Sequence, residues 1–412
     1  MAVGVAFLVP LVFWPGVQSP FSSAKEWLLA AWVVAGFAIG AWTGPTRRKP
    51  IPRTGLWAAA IWITALALSA GLGDESSLPE LLRNLVPCAG FLLLLWISPK
   101  PHRVVFALVL SGSMVALVAL LQFIGLDPFL LLNLTGSLQG NSRIRVFSTL
   151  GNPNFVAAFL TAILPLTVCC SLPEIRTPAK ISVYVPIAGA LLQAGAIFAT
   201  GSRAPILGLV ASGTWLILRR SRSWMRFAWA ALALCALLLL FSPARPLDKT
   251  IAGRFHIWNI IRNHITEIPV AGFGPGAFEI RYAQWETASL STNPTGADPS
   301  FAGLQDHAHN DYLEVLVDHG FLGLSAFMVV LTLLLLPLFR PIRVSGLVDG
   351  IMASVIALLA VALVDFPLHR LTERYLFWSL LALLCISSES TGAPGGWFTE
   401  FFKKPHLKRR SL

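Results

Sequence analysis

The sequence predicts an all-α, polytopic membrane protein of about twelve transmembrane helices, and three observations carry that prediction. Of its 412 residues 55% are hydrophobic and only 12% are charged, against a charged share of about 25% in soluble domains. The apolar residues fall in runs of roughly 18 or more, the length a helix needs to cross a bilayer core, and mean hydropathy is +0.70. The basic residues are also placed, in short segments between those runs. The net charge of +11 therefore reads as membrane topology before nucleic-acid affinity.

Taken in order, the candidate spans lie at roughly 2–17, 24–43, 55–72, 80–98, 103–125, 153–172, 181–200, 204–218, 225–242, 312–338, 346–365 and 371–388. The first begins MAVGVAFLVPLVFWPG. It has no basic leader and no small-residue cleavage site, so it is expected to stay as a span and not to be removed as a signal peptide. Sidedness follows from Lys and Arg. A cytoplasmic N-terminus puts Arg47, Arg48, Lys49 and Arg53 inside, with Lys100 and Arg103, Arg176 and Lys180. Arg219, Arg220, Arg222 and Arg226 join them, as do Arg340, Arg343 and the tail Lys403, Lys404, Lys408, Arg409 and Arg410. Nineteen of the 31 basic residues then sit in short cytoplasmic segments, as topology demands. Both termini are inside. The chain is expected to form one transmembrane domain over 1–412, with outer loops at 126–152 and 243–311 and a basic cytoplasmic tail at 389–412. All five cysteines (Cys88, Cys169, Cys170, Cys235, Cys385) lie in apolar stretches and read as core filler.

Long insertions in a compact bundle are usually functional, so candidate chemistry belongs to the outer face. Four segments reach it. The first, RIRVFSTLGNPNF from Arg143 to Phe155, ends in an ordinary Asn-Pro helix start, but Arg143 and Arg145 lie on the wrong side for the positive-inside pattern. The second surrounds Arg203 in ATGSRAPILG, where two spans are joined by almost nothing. An arginine at that depth either snorkels to water or is paired and functional, and Arg–phosphate pairing is a natural use. In the third, Ile251, Trp258, Ile261 and Ile265 share one face of an interfacial amphipathic helix. Arg254 falls on that apolar stripe, while Arg262 lies on the polar side. The following GFGPGAF, Gly272 to Phe278, lacks the strand–helix context of a phosphate-cradling loop and reads as a tight turn.

The fourth segment is DHAHNDYLEVLVDHGFLGL, Asp306 to Leu324, where titratable groups run straight into a span. His307, His309 and Asp311 alternate, but three alternating ligands without further support are a weak metal signature. His309 as a general base fits imidazole chemistry better. Glu314 and Asp318 are spaced i,i+4 inside the span and need buried partners. Gly320 and Gly323 would let another helix approach closely.

His309-Asn310, nine residues, Gly320, two residues and Gly323 complete the histidine motif of the O-antigen ligase family, and the sequence resembles that family in its expected spans, inside termini and large outer loop as well. The resemblance implies inverting, metal-independent glycosyl transfer at the periplasmic face of a bacterial inner membrane. The donor would be a polysaccharide on undecaprenyl diphosphate and the acceptor a lipid A–core sugar, with membrane lipid around the site and no nucleic acid involved. It also implies that Arg203 and Arg254 bind the diphosphate and that His309 acts near the acceptor as the base. Arg143, Arg145, Asn310 and Arg370 are further candidates with no motif to anchor them. No cofactor is needed, because the phosphate-linked sugar is already activated. An O-antigen or exopolysaccharide polymerase and a protein O-oligosaccharyltransferase of the same superfamily are the alternatives. A small-anion transporter is the reading from another class, without the inverted repeats or broken helix pairs that carriers use.

Overall fold

The computed structural model describes residues 1–15, 17, 19–43, 51–131, 146–171, 184–219, 247–292, 303, 305–336 and 345–390. Arg143, Arg145, Cys235, the expected ninth span at 225–242 and the tail beyond 390 lie outside the described residues. Among the described residues all regular structure is helical. The helices are α1 (Ala2–Leu8), α2 (Ser23–Thr43), α3 (Arg53–Leu72), α4 (Leu78–Ile97), α5 (Pro101–Phe123), the single turn α6 (Pro128–Leu131) and α7 (Pro153–Cys170). They continue with α8 (Tyr184–Thr200), α9 (Pro205–Arg219), α10 (Leu247–Asn263), α11 (Phe278–Thr292), α12 (Asp311–Leu335), α13 (Gly346–Val361) and α14 (Leu371–Ser390).

Six of these, α2 to α5, α7 and α12, are long and apolar enough to cross a membrane, and α8, α9 and α13 are shorter apolar helices. The expectation of a first span over 2–17 is not met: α1 has seven residues, about 10 Å of helix against a core of about 30 Å. Pro10 lacks the N–H and the φ freedom that the helix needs to continue.

α7 lies at the centre and packs against α5, α8, α9 and α13. Its sequence carries no charge and is apolar on every side, as a fully enclosed helix must be. A polar chain ties it to its neighbours. Thr167 Oγ1 donates to Gln193 Oε1 at 2.9 Å, and Gln193 Nε2 donates to Ser113 Oγ at 3.3 Å. Such bonds join helices where apolar burial offers no preference. At the periphery Trp27, Trp42 and Trp57 are exposed. The four described cysteines, Cys88, Cys169, Cys170 and Cys385, are buried.

The starts of α2, α4, α7, α12 and α14 converge on one face. Lys25 at the start of α2 donates to Thr149 O, just before α7, at 2.8 Å. Arg83 at the start of α4 pairs with Glu26 of α2 at 2.9 Å, and Asp311 N, opening α12, donates to Ala362 O at the end of α13. On this face α10 and α11 build a second small core, in which Ile257, Ile261, Phe278 and Tyr282 pack with Leu316 and Val317 of α12.

α12 is broken at Gly320, whose φ of 66° and ψ of −171° belong to a region open essentially to glycine alone. A Cβ there would lie 2.2 Å from Val270 O and 2.4 Å from Gly272 N. The close approach expected at Gly320 is therefore made by loop backbone and not by another helix. Gly323 makes room for its own helix's His319, whose Cβ lies 2.1 Å from where a Cβ would stand, because the break shifts the next turn.

Candidate active site

His309 opens the site from a left-handed backbone conformation, φ 50°, a state costing a non-glycine residue about 1–2 kcal/mol. Its Nδ1 stands 3.5 Å from Asp365 Oδ1, long for a hydrogen bond but close enough to orient the ring. Phe366 meets the same ring edge-on at 5.1 Å. Asp365 is fully buried and its other oxygen accepts from Arg370 Nη2 at 2.6 Å. Burial works to raise the Asp365 pKa, but Arg370 and His309 outweigh it and hold the carboxyl well below the usual carboxylate range.

Arg370 is itself buried, with its guanidinium 4.1 Å from the Phe155 ring centre and 4.2 Å from that of Phe366. A cation between two aromatic faces is held by their quadrupoles and loses its freedom to turn. Arg254 approaches from α10. It shares its stripe with buried Ile257 and Ile261, and Trp258 Nε1 anchors that helix to Ala308 O at 3.0 Å. Burial lowers the Arg254 pKa, the charge of Asp365 opposes that shift and Arg370 adds to it. Arg254 therefore lies within electrostatic reach of the Asp365–Arg370 pair. Ile251, expected on the same stripe, is exposed, one turn before the helix meets the second core. Arg262 is exposed and bonds Asn259 at 2.8 Å.

Arg203 lies half-buried in the turn between α8 and α9. Ala204 beside it packs with Ala158, Val361 and Val364, next to the turn that carries Asp365. Asn310 spends its amide within the protein. Its oxygen caps α12 by accepting from Tyr312 N and Leu313 N, and its Nδ2 donates to Leu363 O at 3.1 Å.

The alternating triplet points in three directions. His307 Nδ1 meets Glu314 Oε1 at 2.7 Å, His309 faces Asp365, and Asp311 Oδ1 meets His369 Nδ1 at 2.6 Å. His369 also stands 3.6 Å from Glu314. Burial pulls its pKa down, but Glu314 and Asp311 outweigh that and lift it to about 9, so a charged imidazole bridges the two acids.

Asp318 also finds its partners here. Its oxygens accept from Gly276 N and Phe278 N, both at 2.9 Å, and its carbonyl accepts from Ser69 Oγ at 2.8 Å. The GFGPGAF backbone thus cradles the protein's own Asp318 carboxyl at the start of α11.

Sequence reasoning passed over Asp365, Phe366, His369 and Arg374. Their signal was DFPLHRLTER, 365–374, which crowds charged residues into the short gap between two apolar runs.

Residues 188–328 match the family model described as O-antigen ligase, a range holding Arg203, Arg254 and the whole His309–Gly323 motif. The chain is also similar to an O-antigen ligase of Pseudomonas aeruginosa, 31% identical over 151 residues, which covers 36% of this chain and 33% of that relative. The matched stretch thus spans about a third of the relative's length. Over residues 188–328 the chain is thus similar to the O-antigen ligase family.

Proposed function

We propose that the chain is a membrane glycosyltransferase that moves a polysaccharide from undecaprenyl diphosphate to a lipid A–core sugar, inverting and metal-independent, at the periplasmic face of a bacterial inner membrane. The observation that carries this reading is His309 set on Asp365, with Arg370 paired to the same carboxylate and Arg254 within electrostatic reach of it.

The chemistry needs two things from the protein. An acceptor hydroxyl must lose its proton as its oxygen bonds the anomeric carbon, and the diphosphate must leave as its bond to that carbon breaks. With Nδ1 turned to Asp365, the tautomer that follows leaves His309 Nε2 to take the proton. Negative charge then develops on the departing diphosphate oxygen, where fixed cations stabilise it more than they do the bound donor. Arg203 and Arg254 are the residues for that task, because the guanidinium fork matches phosphate oxygens in pairs. Arg143 and Arg145 are further candidates from the outer loop. Arg370 is turned to Asp365 and fixes the carboxylate that orients His309.

The test is expression in a ligase-deficient Gram-negative host, with lipopolysaccharide resolved on a gel. A restored ladder on lipid A–core is the expected result. No ladder there, with restored chain growth in a polymerase-deficient host, would replace ligase by polymerase.

A further inference from the structure

Behind Arg370 lies a second chamber of about 390 Å³, within the range of roughly 300–1,000 Å³ usual for small-molecule sites. The starts of α2, α4, α7 and α14 enclose it. Neither His309, Asp365, Arg203 nor Arg254 lines it, while Phe366 and Arg370 form the wall toward them.

Its buried groups are incompletely paired. Arg370 Nε and Arg374 Nη2 have no hydrogen-bond partner among the described residues, and Arg370 Nη1 meets Glu373 Oε1 only as an ion pair at 3.7 Å. Arg370, Glu373 and Arg374 are 6%, 1% and 3% exposed. A buried donor left unpaired costs about 1–3 kcal/mol, so two such donors and a loose ion pair on residues that line one chamber point to a ligand that completes them.

The charge of the lining selects among ligands. Glu26, Glu80 and Glu373 line the chamber together with Lys25, Arg83, Arg370 and Arg374, so the ligand meets donors and acceptors side by side. A hydroxyl donates and accepts at once and satisfies both kinds of group. Phe21, Phe155 and Phe366 supply apolar walls, suited to the C–H face of a sugar ring. Phe366 also stacks on His307 at 4.0 Å and meets His309 at 5.1 Å, so one ring borders both the chamber and the base.

Resting on the reading of glycosyl transfer above, we propose that this chamber is the acceptor subsite, holding the acceptor saccharide while its reactive hydroxyl reaches His309 past the edge of Phe366.

The probe is the full chain in lipid nanodiscs, with binding of free lactose, maltose and cellobiose, and separately of inorganic pyrophosphate, followed by saturation-transfer NMR. Ser22 is exposed at the rim, so Ser22→Trp obstructs the chamber without entering the core. Glu80→Gln and Arg83→Ala open the ion-paired rim. The expected result is that wild type binds at least one disaccharide and that Ser22→Trp weakens it about tenfold or more, the equivalent of about 1.4 kcal/mol, with pyrophosphate binding unchanged. In transfer assays the acceptor KM rises and the donor KM does not. Disaccharide binding absent in wild type, untouched by Ser22→Trp, or displaced by pyrophosphate overturns the proposal. Saccharide binding that Ser22→Trp abolishes, in a chain that transfers no lipid-linked glycan, would leave the subsite standing and remove the transferase reading.

Discussion

Two clusters at the start of α12 use the same residue types to opposite ends. Around Asp318 every hydrogen-bonding group is consumed: both carboxylate oxygens take backbone N–H groups, and the Asp318 carbonyl takes Ser69 and Gly274 N. Around His309 and Asp365 the pairing is looser: His309 Nδ1 stands 3.5 Å from Asp365 Oδ1, Arg370 Nη1 stands 3.7 Å from Glu373 Oε1, and Arg370 Nε is buried without a hydrogen-bond partner among the described residues. Saturated polar clusters hold a structure together, whereas unspent buried groups cost stability and mark where a substrate can supply what is missing. The difference teaches that titratable crowding alone does not locate chemistry; the accounting of partners does.

Four substitutions and conditions break or sharpen that contrast. The largest effect belongs to His309→Ala and Arg203→Ala. Both are expected to insert normally and to lose transfer, with His309→Ala losing about 10²–10⁴-fold as general bases do. Transfer rate at equal membrane abundance checks this, and full activity in either variant removes that residue from the mechanism. Next comes Asp318→Ala, which strips the partners from two buried N–H groups at about 1–3 kcal/mol each. It should lower membrane abundance and Tm, while Asp318→Asn recovers part of the loss. A stable, inactive Asp318→Ala would reverse the comparison and move function to that cluster.

Gly320→Ala follows, with backbone strain of about 1–3 kcal/mol plus collision with Val270 O at 2.2 Å. Limited proteolysis should show α10 and α11 released from α12, and unchanged protection would contradict the break as a structural joint. The smallest effect is pH dependence through His369, whose pKa rises from 6.5 to about 9 on folding. A raised pKa means that the charged form is stabilised by the fold. Its contribution is therefore complete below pH 6.5 and lost as pH climbs through 9. Tm measured across that window should fall in wild type, with the fall flattened in His369→Gln.

Much of this was legible from sequence because it rests on local rules. Helix placement follows apolar run length, and the His309–Gly323 spacing is a linear motif. The first span was misread because hydropathy counts side chains and does not see that Pro10 stops the backbone. The exact roles within DHAHND were not legible either. His307, His309 and Asp311 differ only in which partner from 314, 365 or 369 stands opposite, and that depends on how α12 meets α14.

By itself the sequence determined that the chain is helical, apolar on the outside, and carries the O-antigen ligase motif, since composition and spacing act within a single turn or run. Only the tertiary structure decided that the Asp318 carboxyl fills the GFGPGAF turn, that Gly320 yields to loop backbone, and that Asp365 and Arg370 stand behind His309. Those are contacts between residues dozens to hundreds of positions apart, and their energy exists only once burial removes water and makes each unpaired group count.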